Sequence, residues 1–114
     1  MIKVLYRLKK REDFKKTYQK GWKVVGPYLI LYYRKNNLDI YRIGFSVSKK
    51  VGKAVVRNRV KRILREICRL NEELFPQGWD FIFIARNRVK DVNYRVVERS
   101  LVKMVHKVKD KNNA

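Results

Sequence analysis

Between residues 52 and 74 the apolar positions recur at helical spacing. Stepped at ~100° per residue, Val56, Val60, Ile63, Ile67, Leu70 and Leu74 stack into one stripe. Arg57, Asn58, Lys61, Arg62, Arg65 and Arg69 gather on the opposite side. The spacing predicts a long amphipathic helix that ends before Pro76. A short helix is predicted over residues 11–20, where Phe14 and Tyr18 lie four apart and share a face, with Gly21 at a left-handed stop. A last helix starts near Asn93, an N-cap residue. Its apolar face reads Tyr94, Val97, Leu101, Met104, Val105 and Val108.

Elsewhere the period falls to two. Residues 28–34, YLILYYR, are rich in aromatic and branched side chains and read as a strand. Leu29, Leu31 and Tyr33 point one way, toward a core; Tyr28, Ile30 and Tyr32 point the other. The segment KNNLD, residues 35–39, predicts a hairpin turn into a second strand over 41–47. There Tyr41, Ile43, Phe45 and Val47 share one face and Arg42, Gly44 and Ser46 the other. WDFIFIAR, residues 79–86, is a nearly continuous apolar run, the pattern of a central strand buried on both faces. An additional short strand fits residues 22–25. The elements compose an α+β sandwich, one sheet with helices mostly on one side.

The length of 114 residues predicts one domain, 1–114. Thirty Lys and Arg against ten Asp and Glu give a formal charge of +20, yet 46% of residues are hydrophobic. A disordered basic tail lacks that apolar content, so the charge sits on a folded surface. Its densest part is residues 49–69, with nine Lys or Arg and one acid, Glu66. Fixed charges at that density repel one another unless a polyanion neutralises them, which points to nucleic acid. No apolar run approaches ~18 residues, the length of a membrane span, and residues 1–13 lack a signal-peptide core. The expected location is the cytoplasm.

The chemistry of catalysis is missing from this pattern. Cys68 is the single cysteine, so no intrachain disulfide forms; its place near the edge of the apolar stripe predicts a half-buried structural thiol. One cysteine and one histidine, His106, cannot build a tetrahedral zinc site. Neither a Walker nor a Rossmann glycine pattern occurs, and no acid–base or nucleophile constellation stands out. No carboxylate cluster suits a protein-held magnesium ion.

The aromatic residues admit two readings. Phe14 and Tyr18 either pack a short helix onto the sheet or, with Tyr32 on the strand face away from the core, form a stacking surface for unpaired bases. Each stacked base contributes about 1–3 kcal/mol. The cations run along the whole helix face, which suits tracking of a phosphate backbone better than insertion of a reading helix into a DNA major groove. A ribosomal or RNA-chaperone protein would use the same helix.

The run GFSVSKKVGKAVVRNRVKRILRE, residues 44–66, closely resembles the signature of the bacterial ribonuclease P protein subunit. It carries Arg57-Asn58-Arg59, then Lys61-Arg62 and Arg65-Glu66, after Ser-Val-Ser-Lys-Lys at 46–50. LKKREDFKKTYQKG at 8–21 and the strand ending Ala85-Arg86 also match, so the resemblance spans nearly the whole chain. It implies an α-β-β-β-α-β-α order with a left-handed crossover, similar to a domain of ribosomal proteins and elongation factor G. It also implies a function. The holoenzyme removes the 5′ leader from precursor tRNA, with the chemistry in a large RNA subunit and its magnesium ions, held mainly by RNA and none by the protein alone. The protein would bind the leader, dock on the ribonuclease P RNA and strengthen metal binding; its partners are that RNA and precursor tRNA, with neither membrane nor DNA. Family cleft positions fall on Phe14, Tyr18 and Tyr32, with Lys50, Arg57 and Lys61 nearby. RNA contact falls on Lys49, Lys53, Asn58, Arg59, Arg62, Arg65 and Arg69. Tyr18 departs from the family's common Phe: stacking survives, and the hydroxyl adds a donor.

Overall fold

The computed structural model describes residues 7–112, with side chains as far as Val108; the stretch read for a signal core lies partly outside them. The segments with helical apolar spacing form α1 (Arg11–Lys20), α2 (Ala54–Leu70) and α3 (Tyr94–Asn112). The period-two segments form β1 (Trp22–Val25), β2 (Leu29–Lys35), β3 (Arg42–Ser46) and β4 (Trp79–Ala85). Asn93 caps α3 as the sequence predicts: its Oδ1 accepts from the Val96 N–H at 3.1 Å.

The sheet order is β1-β2-β4-β3. β2 runs antiparallel to both β1 and β4, whereas β3 runs parallel to β4. The predicted β2–β3 hairpin is therefore corrected. The turn itself forms: Asn37 has φ 59° and the Leu38 N–H donates to Asn36 Oδ1 at 2.8 Å. But it releases the chain past a gap that β4 fills, with α2 making the long connection a parallel pair needs. The physical reason lies in β4, whose run WDFIFIA is buried at every position but Ile84. Only an interior strand has both faces covered.

One sheet face carries the main core. Leu29, Leu31 and Tyr33 of β2, Phe81 and Phe83 of β4 and Ile43 of β3 meet Val60, Leu64 and Ile67 of α2 and Val97, Leu101 and Val105 of α3. The buried stripe of α2 comprises Val60, Leu64, Ile67 and Cys68. It widens the predicted stripe by Leu64 and Cys68; Val56, Ile63 and Leu74 also pack, partly buried, against the core, while Leu70 is exposed. Arg57 and Lys61, beside the widened stripe, are half-buried. Cys68 is fully buried, not half, and burial pushes its thiol pKa well up.

The other face carries α1. Gly44 of β3 lies beneath Phe14: a Cβ there would come within 2.5 Å of Phe14 Cζ. Gly21 is not left-handed. Its backbone is extended, φ −89° and ψ 176°, and glycine is required because a Cβ would meet the Thr17 and Tyr33 carbonyl oxygens at 2.5 and 2.6 Å. α1 is also tied down by charge. Asp80 of β4 is fully buried. Arg42 Nε donates to its Oδ1 at 2.8 Å and Nη2 to its Oδ2 at 2.7 Å, while Asn36 Nδ2 donates at 2.9 Å. Arg34 adds a contact at 3.6 Å. Arg42 then reaches Asp13 of α1 at 3.2 Å, and its guanidinium is held above its ordinary pKa, first by the hydrogen bond to Asp80. Removing one side of such a buried pair typically costs about 3–5 kcal/mol. Among the described residues no helix is long and apolar enough to cross a membrane.

Candidate nucleic-acid interface

The helical i, i+4 spacing of α1 and the alternation of β2 converge on one surface. Phe14 and Tyr18 have ring centroids 6.3 Å apart. Tyr18 meets Tyr32 of β2 edge-on at 5.1 Å. Together they make a ladder of three rings, with Phe14 and Tyr32 half-buried and Tyr18 more open. Such partly covered rings, fixed from below and open above, can receive flat bases. The Tyr18 hydroxyl lies near Ser46, at the end of β3. Burial raises its pKa, against a lowering influence from Ser46.

Cations border the ladder. Lys23 Nζ lies 6.0 Å from the Tyr32 ring centroid, a contact the sequence reading missed. Only the β1–β2 register, which sets Lys23 opposite Tyr32, shows it. No described contact joins Lys50, Arg57 or Lys61 to the three rings. Their relation to the ladder is through the chain: β3, which lies beneath Phe14 at Gly44, leads within a few residues to Lys49, Lys50 and Lys53, all exposed. α2 then opens with Lys53 at its N-cap, with no side-chain cap and no acid in its first turn. The positive end of the helix dipole thus adds to the lysines rather than being offset.

Along α2, Asn58, Arg59, Arg62 and Arg65 are exposed. Lys49, Lys50, Lys53, Arg59, Lys61, Arg62 and Arg65 make no ion pair with any described residue. Arg57 Nε is enclosed and lacks a hydrogen-bond partner. Arg69 differs from the rest of its predicted set, since it holds Glu66 at 2.6 Å. Its charge is answered within the helix, and the Glu66 carboxyl is held below its ordinary pKa by the Arg69 hydrogen bond. The arrangement offers stacking faces, one hydroxyl donor and a band of unanswered cations. Among the described residues no group of three or more His, Cys, Asp or Glu comes together as metal ligands would.

A family model described as Ribonuclease P matches residues 2–109. The chain is 44% identical over 113 residues to the ribonuclease P protein component of Alkaliphilus oremlandii, covering 99% of each. It is similar in structure to the Staphylococcus aureus RNase P protein, with a TM-score of 0.84 and 36% identity over 93% of this chain and 97% of that one. The RNase P protein from Thermotoga maritima gives a TM-score of 0.82 and 33% identity over 89% and 96%.

Proposed function

The chain belongs to the ribonuclease P protein family, and from that premise we propose that it binds the single-stranded 5′ leader of precursor tRNA while docked on the ribonuclease P RNA. The observation that carries the reading is the open ladder of Phe14, Tyr18 and Tyr32, whose neighbouring strand runs directly into the unpaired cations of α2. Leader bases stack on the rings, and the leader phosphates follow Lys23, Lys50, Arg57 and Lys61. The exposed row of Lys49, Lys53, Asn58, Arg59, Arg62 and Arg65 faces the RNA subunit, with Arg69 a lesser contributor because of Glu66. The Arg57 guanidinium, half-buried and without an ion pair among the described residues, is suited to a phosphate through its outer N–H groups, since guanidinium–phosphate hydrogen bonds are among the strong ones.

In this reading the protein positions substrate and the RNA subunit carries the hydrolysis. Three of the acids are already engaged by other side chains. Asp80 is engaged by Arg42, Arg34 and Asn36, Asp13 by Arg42 and Glu66 by Arg69. Magnesium belongs with the RNA phosphates, and the protein acts on it indirectly, by adding cationic charge and holding the leader in place. The work is done in the cytoplasm, without membrane or DNA.

The test is reconstitution. The purified chain is mixed with a bacterial ribonuclease P RNA and precursor tRNA at magnesium too low for the RNA alone. Restored cleavage at the mature 5′ end, with no cleavage by rigorously RNA-free protein, supports the reading. Binding of both RNAs without cleavage assigns the chain instead to the RNA-chaperone class.

A further inference from the structure

β1 lies at one edge of the sheet, and its register places Lys23 opposite Tyr32 and Trp22 opposite Tyr33. Successive strand residues point to opposite faces. Lys23 therefore borders the ladder of Phe14, Tyr18 and Tyr32, and Trp22 lies just around the sheet edge from it. The Trp22 ring stacks on Tyr33 with centroids 5.8 Å apart and planes at 29°, and leans against Trp79 at 6.1 Å. Tyr33 and Trp79 are core residues, whereas Trp22 is 55% exposed. One side of the indole is thus fixed on a rigid aromatic floor and the other is open to solvent. Lys35 Nζ lies 5.6 Å from the Trp79 ring centroid, and Lys20 and Lys23 are exposed on either side of Trp22 in the chain.

We propose that Trp22 is a second stacking platform, which takes a more distal base of the same single-stranded leader after it crosses the β1 edge at Lys23. The proposal rests on the leader-binding reading above. A rigid, exposed aromatic among cations has the two elements of a sequence-tolerant single-strand site, a π-face for the base and positive charge for the backbone. β1 itself, WKVV, contains no acid. A second copy of the chain pairing at this edge would bring Lys20, Lys23 and Lys35 against their own counterparts, in a molecule of net charge +20. Like charges placed together oppose that association.

The chain has two tryptophans, so Trp79→Phe leaves Trp22 as the sole indole fluorophore. The variant is assembled with ribonuclease P RNA and titrated with mature tRNA and with precursor tRNAs of graded leader length. The expected result is quenching of Trp22 emission only by leaders long enough to pass the ladder. In the otherwise unaltered chain, Trp22→Leu keeps an apolar cover on Tyr33 but removes the π-face. It should weaken long-leader binding about 5- to 150-fold and leave short-leader and mature tRNA unchanged. If Trp79→Phe unfolds, the difference in quenching between the unaltered chain and Trp22→Leu gives the same reading. Emission indifferent to leader length, or an equal loss for every RNA, overturns the platform. So does concentration-dependent self-association that Trp22→Leu abolishes, which would give the indole to a second copy. A Tyr32→Ala arm separates the two claims. Loss of leader dependence there, with Trp22→Leu silent, removes the platform and keeps the ladder. A leader that adds no affinity even to the unaltered chain removes both.

Discussion

Phe14 owes its position to an atom that Gly44 lacks. A Cβ on that residue would sit 2.5 Å from Phe14 Cζ and 2.9 Å from Cε1, so Gly44→Ala must lift the ring from the sheet. Overpacking of this kind typically costs about 1–3 kcal/mol. The expected outcome is weaker binding of leader-bearing precursor tRNA with mature tRNA unaffected, measured beside urea unfolding. A stability loss with no change in the precursor–mature difference would make Phe14 a packing residue only. The rings themselves were legible in the sequence: i, i+4 spacing put Phe14 and Tyr18 on one face, and strand alternation put Tyr32 away from the core. Gly44 and Asp80 were not. Asp80 sits in an apolar run and makes sense only beside Arg34 and Arg42, its cross-strand neighbours. That register joins strands far apart in the chain, which local spacing does not encode.

At the level of elements, α2 divides into residues with and without an internal counter-charge. Arg57 and Lys61 lack one among the described residues; Arg69 has Glu66. On single-stranded RNA each lost phosphate contact lowers the slope of log K against log[salt] by about 0.7. Arg57→Ala and Lys61→Ala should each show that decrement, and Arg69→Ala a smaller one. Equal decrements for all three would mean that the Glu66 pair opens on binding. The helix was legible as basic and amphipathic, and five of the six stripe positions reach the core, Leu70 alone being exposed. Leu64 and Cys68 continue the apolar stripe past the six positions that match it best, and packing against the sheet chose them over Leu70. The hairpin after β2 failed for a related reason. KNNLD carries real turn chemistry, yet turn chemistry sets the direction of the next segment and not its neighbour. Burial on both faces put β4 between the two strands.

Over the whole molecule, two jobs fall on two faces of one sheet. α2 and α3 close the main core on one side, and the other side keeps α1 and its rings against the strands through Gly44 and the Asp13–Arg42–Asp80 chain. A net charge of +20 disfavours the compact chain by self-repulsion, which an RNA partner relieves. The family and the general layout of elements were legible because the motif at 44–66 is specific and the apolar periods are strong; strand order was not, being a property of the assembled sheet. The claim that joins these scales is that the ladder binds the leader and does not merely pack. Its most direct test is the affinity of the reconstituted holoenzyme for precursor and mature tRNA, with Phe14→Ala and Tyr32→Ala, alongside thermal unfolding of each variant. The account predicts a loss of about 1–3 kcal/mol for the precursor, none for mature tRNA, and unfolding close to that of the unaltered chain. Equal losses for both RNAs, together with a stability loss of about 3–5 kcal/mol as for a core Phe→Ala, would contradict it.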